Sequence, residues 1–95
     1  MLVLKSHNLD RIPSASAKFS CYFSAQPAAQ ITWWHNGVRL RTGSGTGVRL
    51  LRDGSELIIE QSRHSDSGYY QCVAVNAGGS ASAIMYLYVR RQHGE

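Results

Sequence analysis

No apolar run in this sequence approaches 18 residues, so no segment is long enough to cross a membrane as a helix. The opening Met1-Leu2-Val3-Leu4 is too short for the apolar centre of a signal peptide. The triplet Asn-x-Ser/Thr is missing, because Asn8, Asn36 and Asn76 are followed two residues on by Asp, Val and Gly, and one mark of a secreted chain goes with it. His7, His35, His64 and His93 stand apart, none paired at the spacing a zinc site favours, and they are read as surface residues. Gly43 to Gly47 contains Gly-x-Gly-x-Gly, but no Lys-Ser/Thr and no helix follow, which excludes a phosphate loop. Around Ser65, Asp66 and Ser67 there is no Gly-x-Ser-x-Gly elbow and no general base set by spacing. Positive charge is not joined to any RNA- or DNA-binding signature. These absences predict a chain without catalysis, without metal or cofactor, and without nucleic acid as a partner.

Ninety-five residues make one domain, which buries only about 60 to 65 % of its unfolded surface and is marginal without reinforcement. Ten Lys and Arg against six Asp and Glu leave a net charge of +4, a modest bias toward acidic partners. The chain reads as one module, with its core between about residues 10 and 90, taken from a longer multidomain protein.

Strands are legible from period-two alternation between turn signals. Ala17, Phe19, Cys21 and Phe23 share one face and mark it as core; Pro27-Ala28-Ala29 turns the chain. In the next strand Ile31 and Trp33 share the inward face and Thr32 and Trp34 the outward one. Asn36-Gly37 is a type I′ hairpin signal, with a strand over Val38 to Arg41 after it. A glycine-rich connection leads to a strand over Val48 to Arg52, and Asp53-Gly54 turns it into one whose Leu57 and Ile59 face inward. Later come Tyr70, Cys72 and Ala74 inward, with Tyr69, Gln71, Val73 and Val75 outward. The last strand sends Ala83, Met85, Leu87 and Val89 inward and Ile84, Tyr86 and Tyr88 outward. Near the start, Leu2 to Lys5 and Asp10 to Pro13 are weaker strand candidates.

Cys21 and Cys72 lie 51 residues apart, a Trp pair follows the first, and Asp66-Ser67-Gly68-Tyr69-Tyr70-Gln71-Cys72 closes on the second, with Asn76-Ala77-Gly78-Gly79 beyond. From about Ala17 to Val89 this pattern resembles an immunoglobulin-like domain of the intermediate (I-set) type, as found in adhesion receptors and giant muscle proteins. The resemblance implies an all-β sandwich of two antiparallel sheets in a Greek key. It implies Trp33 packed on a Cys21–Cys72 disulfide, and Tyr70 capping the backbone at the corner where Asp66 and Gly68 sit. Closing such a loop is worth roughly 4 kcal/mol in the chain-entropy model. In a reducing compartment the same two residues would pack as thiols. Ser62 stands where the family usually has an apolar residue, which predicts a looser base of the core.

In that fold the outward residues of the sheet holding Trp33, Tyr70 and Met85 form one surface: Trp34, Val73, Val75, Ile84, Tyr86 and Tyr88. Aromatic side chains there make it a candidate protein-binding face, homophilic, heterophilic or against a neighbouring domain. The competing explanation is that such residues simply suit strands. Arg39, Arg41, Arg49 and Arg52 form a candidate basic edge for a polyanion such as heparan sulfate, acidic lipid or actin; edge protection by charge is the plainer account. Two readings follow: an extracellular or cell-surface recognition module of an adhesion or receptor-type protein, or an intracellular spacer module of a muscle or cytoskeletal protein.

Overall fold

The computed structural model describes residues 8–21 and 30–91 and is a two-sheet β-sandwich. Eight strands run β1 (Leu9–Arg11), β2 (Ala17–Ser20), β3 (Gln30–His35), β4 (Val38–Arg39), β5 (Val48–Leu51), β6 (Glu56–Ile59), β7 (Gly68–Asn76) and β8 (Gly79–Val89), with a short 3-10 turn at His64–Asp66. The larger sheet has the order β1-β8-β7-β3-β4 and the smaller β2-β6-β5. All pairs are antiparallel except β1 with β8, which places the first and last strands side by side and parallel.

Alternation decides which side chains meet between the sheets. Phe19, Cys21, Leu57 and Ile59 from the smaller sheet pack on Trp33, Tyr70, Cys72, Met85, Leu87 and Val89 from the larger, all buried. Burial of side chains this size is worth roughly 1.5 to 3 kcal/mol each. Cys21 and Cys72 are joined in a disulfide across the two sheets. Trp33 is the buried member of the Trp pair, and its Nε1–H donates to the Gly54 carbonyl at 2.8 Å. The indole therefore fills the core and also fastens the turn between β5 and β6.

Turn chemistry sets the connections. Asn36 and Gly37 have φ of 48° and 84°, the two left-handed residues that a tight type I′ hairpin needs to join β3 to β4. The hairpin strand is shorter than its sequence suggests: Val38 and Arg39 form the β4 ladder, and Leu40 adds one last bond from its N–H to the Trp33 carbonyl at 3.0 Å while its side chain packs against the core. Likewise β5 ends at Leu51, because Arg52 and Asp53 already turn with φ of 52° and 58°. The early edge strand is Leu9–Arg11 rather than Asp10 to Pro13; beyond it Pro13 has no N–H to pair and Ser14 turns with φ of 74°. Leu2 to Lys5, Phe23 and Pro27-Ala28-Ala29 lie outside the described residues.

Ser62 corrects an expectation. Rather than loosening the core it is buried and stitched to the loop between β1 and β2: its Oγ–H donates to the Ala15 carbonyl at 2.6 Å, its N–H to the same oxygen at 3.0 Å, and its carbonyl accepts from Ser14 N–H at 2.8 Å. A hydroxyl there supplies what an apolar side chain would not.

Candidate protein-docking face

On the outward side of the larger sheet, register turns the sequence into a grid. One row runs Tyr86 to Tyr69, the next Ile84 to Gln71 to Trp34 to Arg39, the next Ser82 to Val73 to Thr32. Tyr88 lies beside Asp10 of β1 at one edge. Tyr69 and Tyr86 meet edge-on, ring centres 5.0 Å apart and planes at 69°, the arrangement that aromatic quadrupoles favour.

Two asparagines fix this pair. Asn36, in the β3–β4 hairpin, accepts the Tyr69 N–H at Oδ1 (2.9 Å), and its own N–H donates to the Tyr69 carbonyl at 2.8 Å. Across the sheet, Asn8 Oδ1 accepts the Tyr86 N–H at 3.0 Å. Gly68 is required next to them: its φ is 138°, and a Cβ would come within 2.5 Å of Asn36 Oδ1. Shallow hollows flank the Tyr69 ring, one of about 400 Å³ lined by Asn36, Gly37, Tyr69, Gln71 and Ile84, the other of about 390 Å³ lined by Asn8, Tyr69, Ile84, Met85 and Tyr86.

The six residues singled out in the sequence do lie on this one side, but unequally exposed. Ile84 (59 %), Val75 (51 %), Tyr88 (42 %) and Tyr86 (36 %) are open, whereas Trp34 and Val73 are half-buried. The expectation that Trp34 is presented to solvent is corrected: its indole lies between Arg39 and Gln71 in register and its Nε1–H donates to Thr32 Oγ1 at 3.1 Å. Tyr69, at 60 % exposure, takes the prominent place instead. Alternation turns it outward, but the candidate face read from the sequence omits it.

The basic edge divides. Arg49 pairs with Glu60 at 2.6 Å, while Arg52 and Lys18 both reach the buried Glu56 at 3.4 Å. Arg39 and Arg41 have no carboxylate partner among the described residues. Arg39 is on the larger sheet and Arg49 on the smaller, so the four do not share one sheet edge.

The corner entering β7 absorbs the remaining polar candidates. Tyr70 donates its hydroxyl to the Asp66 carbonyl at 2.6 Å, and the Asp66 carboxylate accepts the Arg63 N–H at 2.8 Å. Burial first, and the Asp66 charge second, push the Tyr70 phenol well above its usual range. His35 and His64 are half-buried, not surface residues. The His35 ring stacks on Tyr70 at 4.3 Å with its Nε2 3.1 Å from the Ser67 carbonyl, and His64 Nδ1 lies 2.7 Å from the Val89 carbonyl; with carbonyl acceptors both nitrogens carry the proton. Ser67 Oγ accepts the Val89 N–H at 2.8 Å. His64 and Ser67 thus hold the end of β8, Tyr70, Asp66 and His35 hold the corner before β7, and Ser65, Asp66 and Ser67 form no nucleophile–base pair among the described residues. Among the described residues no three His, Cys, Asp or Glu side chains gather as a metal site. His7 and His93 lie outside the described residues.

Comparison with known proteins agrees with this architecture. The immunoglobulin I-set domain model matches residues 2–89. The zebrafish striated muscle preferentially expressed protein kinase is 33 % identical over 82 residues, covering 86 % of this chain and 3 % of that protein. The zebrafish receptor-type tyrosine-protein phosphatase F is 39 % identical over 74 residues, covering 75 % of this chain and 4 % of its own length. The titin M4 structure superposes with a TM-score of 0.80 at 27 % identity, covering 95 % of this chain and 94 % of that one. The chain thus spans 3 to 4 % of the length of the two sequence relatives. By its disulfide, its buried Trp33, its Tyr70 corner and the match over residues 2–89, the chain belongs to the immunoglobulin I-set family.

Proposed function

We propose that this chain is a single non-catalytic interaction module of a large multidomain protein of the muscle cytoskeleton, and that it docks protein through the outward face of the β1-β8-β7-β3-β4 sheet. One observation carries the docking: Tyr69, Tyr86 and Ile84 form a contiguous exposed patch with a hollow on either side of Tyr69. The muscle context is supported by similarity over 86 % of the chain to a striated-muscle kinase and by the fit to a titin domain.

The occupant we infer is a second copy of the chain. The apolar patch centres on β7 and β8, and charge lies at the rims, Asp10 with Arg90 on one side and Arg39 on the other. A two-fold axis parallel to β7 lays β4 of one copy over β1 of its partner, so the rim bearing Arg39 faces the rim bearing Asp10 and apolar centre meets apolar centre. Two tyrosines and an isoleucine fall short of the roughly 800 Å² per partner of a standard interface, so a weak dimer is expected. Sedimentation equilibrium over a wide concentration range tests it: a dimer that Tyr69→Ala/Ile84→Asp abolishes supports self-docking, and a monomer at every concentration refutes it.

A cell-surface receptor module is the second reading. It is favoured by the Cys21–Cys72 disulfide, a bond that persists in oxidising compartments, and by the receptor-type phosphatase relative. Labelling free thiols in the chain isolated from native tissue separates the two: blocked cysteines support the surface reading, reactive ones the cytoskeletal.

A further inference from the structure

Four places in the sequence set a hydroxyl three residues after an arginine: Ser14 after Arg11, Thr42 after Arg39, Ser44 after Arg41 and Ser55 after Arg52. A protein kinase of the basophilic class recognises such spacing because carboxylates in its cleft take the guanidinium in paired, charge-assisted hydrogen bonds. The structure sorts the four. Arg11 is spent on the carbonyls of Ser16 and Asp10, both at 3.0 Å, and Ser14 is tied to Ser62 by its backbone N–H. Arg52 pairs with Glu56, and Ser55 Oγ donates back to the Arg52 carbonyl at 2.8 Å. Ser44 differs from both: it is exposed, no hydrogen bond engages its hydroxyl among the described residues, and Arg41 three residues before it and Arg39 five before it are exposed and without a carboxylate. Thr42 has Arg39 at that single spacing but no second arginine two residues further back, where Gly37 stands.

We propose that Ser44 is a phosphorylation site for a basophilic serine/threonine kinase that reads Arg41 and Arg39 together. Position in the fold suits it. β4 is the outer strand of its sheet, so the segment from Val38 is already extended and open along one edge. Past it, Gly43 and Gly45, with φ of 106° and 83°, form a turn that enters a cleft once the Gly43 N–H bond to the Val48 carbonyl (2.9 Å) and the Thr46 Oγ1 clasp on the Gly43 carbonyl (2.6 Å) are released. In the reaction Ser44 Oγ forms a bond to the γ-phosphorus of Mg-ATP, the bond from that phosphorus to the β–γ bridging oxygen breaks, ADP leaves, and the hydroxyl proton passes to the kinase's catalytic carboxylate. The product carries about 1.5 to 2 negative charges beside two unpaired arginines, cancelling the positive rim of the docking face next to it.

In cells the reaction needs an ATP-containing compartment and so rests on the cytoskeletal reading; the test on purified chain does not, and it leaves dimerisation to be measured separately. The folded chain is incubated with a kinase that requires arginine three and five residues before its acceptor, and with Mg-ATP; the site is mapped by tandem mass spectrometry. One phosphoryl group on Ser44 is expected, none in Ser44→Ala, with kcat/KM lowered about tenfold or more by Arg41→Ala and by Arg39→Ala and unchanged in Arg52→Ala. Matched melting midpoints show that the variants are folded. Incorporation chiefly at Thr42, Ser14 or Ser55, or a folded chain that stays unmodified while a peptide spanning residues 37–47 is phosphorylated, overturns the proposal.

Discussion

Replacing Ser62 with alanine separates two views of the base of the sandwich. If a hydroxyl there is a defect in an apolar layer, removing it stabilises the domain; if it is a stitch, removal weakens it. The geometry favours the stitch: Ser62 is 1 % exposed and its Oγ–H donates to the Ala15 carbonyl at 2.6 Å. A buried hydrogen bond of this kind contributes about 0.5 to 1.5 kcal/mol net, and more where its loss leaves a partner orphaned. Here the Ala15 carbonyl keeps the Ser62 N–H at 3.0 Å, so the orphan penalty does not arise and the cost of Ser62→Ala is about 1 kcal/mol. For a domain of this size that lowers the melting midpoint by about 4 to 8 °C. Ser62→Val costs more, because methyl groups then face the Ile12 and Ala15 carbonyls. Urea unfolding followed by tryptophan fluorescence reads both variants. A midpoint unchanged in Ser62→Ala, or raised in Ser62→Val, refutes the stitch.

The two tryptophans differ in kind: Trp33→Ala costs about 3 to 5 kcal/mol through a core cavity, while Trp34→Ala, losing a half-buried ring, costs far less, and equal losses in urea unfolding contradict the strand parity. Gly68→Ala forces a Cβ onto Asn36 and a side chain onto φ of 138°, a strain of about 1 to 3 kcal/mol that thermal unfolding measures. Because the folded Tyr70 phenol titrates above its unfolded value near 10, the neutral form is favoured by folding; that stability is complete below about pH 10 and declines as pH rises above it. Tyr70→Phe removes this alkaline slope from a plot of midpoint against pH.

What the sequence made legible was whatever period two controls. Parity along Ala17–Cys21, Ile31–Trp34 and Gly68–Val75 separates inward from outward residues, and the family resemblance pairs the cysteines. Beyond that pair, contacts between segments far apart in the chain are not legible. Ser62 meets Ala15 across 47 residues, and His64 meets Val89 across 25; no local pattern encodes either. The pairing of Arg49 with Glu60 and of Arg52 with Glu56 depends on the β5–β6 register, which sets those charges side by side only once the hairpin has formed. Tyr69 was legible by parity, but its prominence depends on neighbours from Asn8 and the β3–β4 hairpin.

The strand in the middle of the candidate docking face is anchored on three sides. β7 has β8 on one side and β3 on the other, and Cys72 ties it through the core to the opposite sheet. Tyr69, Gln71 and Val73 are therefore carried on backbone that has already lost its conformational freedom in folding. A partner landing there has little ordering entropy to overcome, so a small number of aromatic contacts can yield measurable affinity with almost no change of shape. The loop carrying Ser44 is the opposite case: whatever grips it must first open the turn that the Gly43 and Val48 backbones close, which suits brief, catalysed encounters rather than lasting ones.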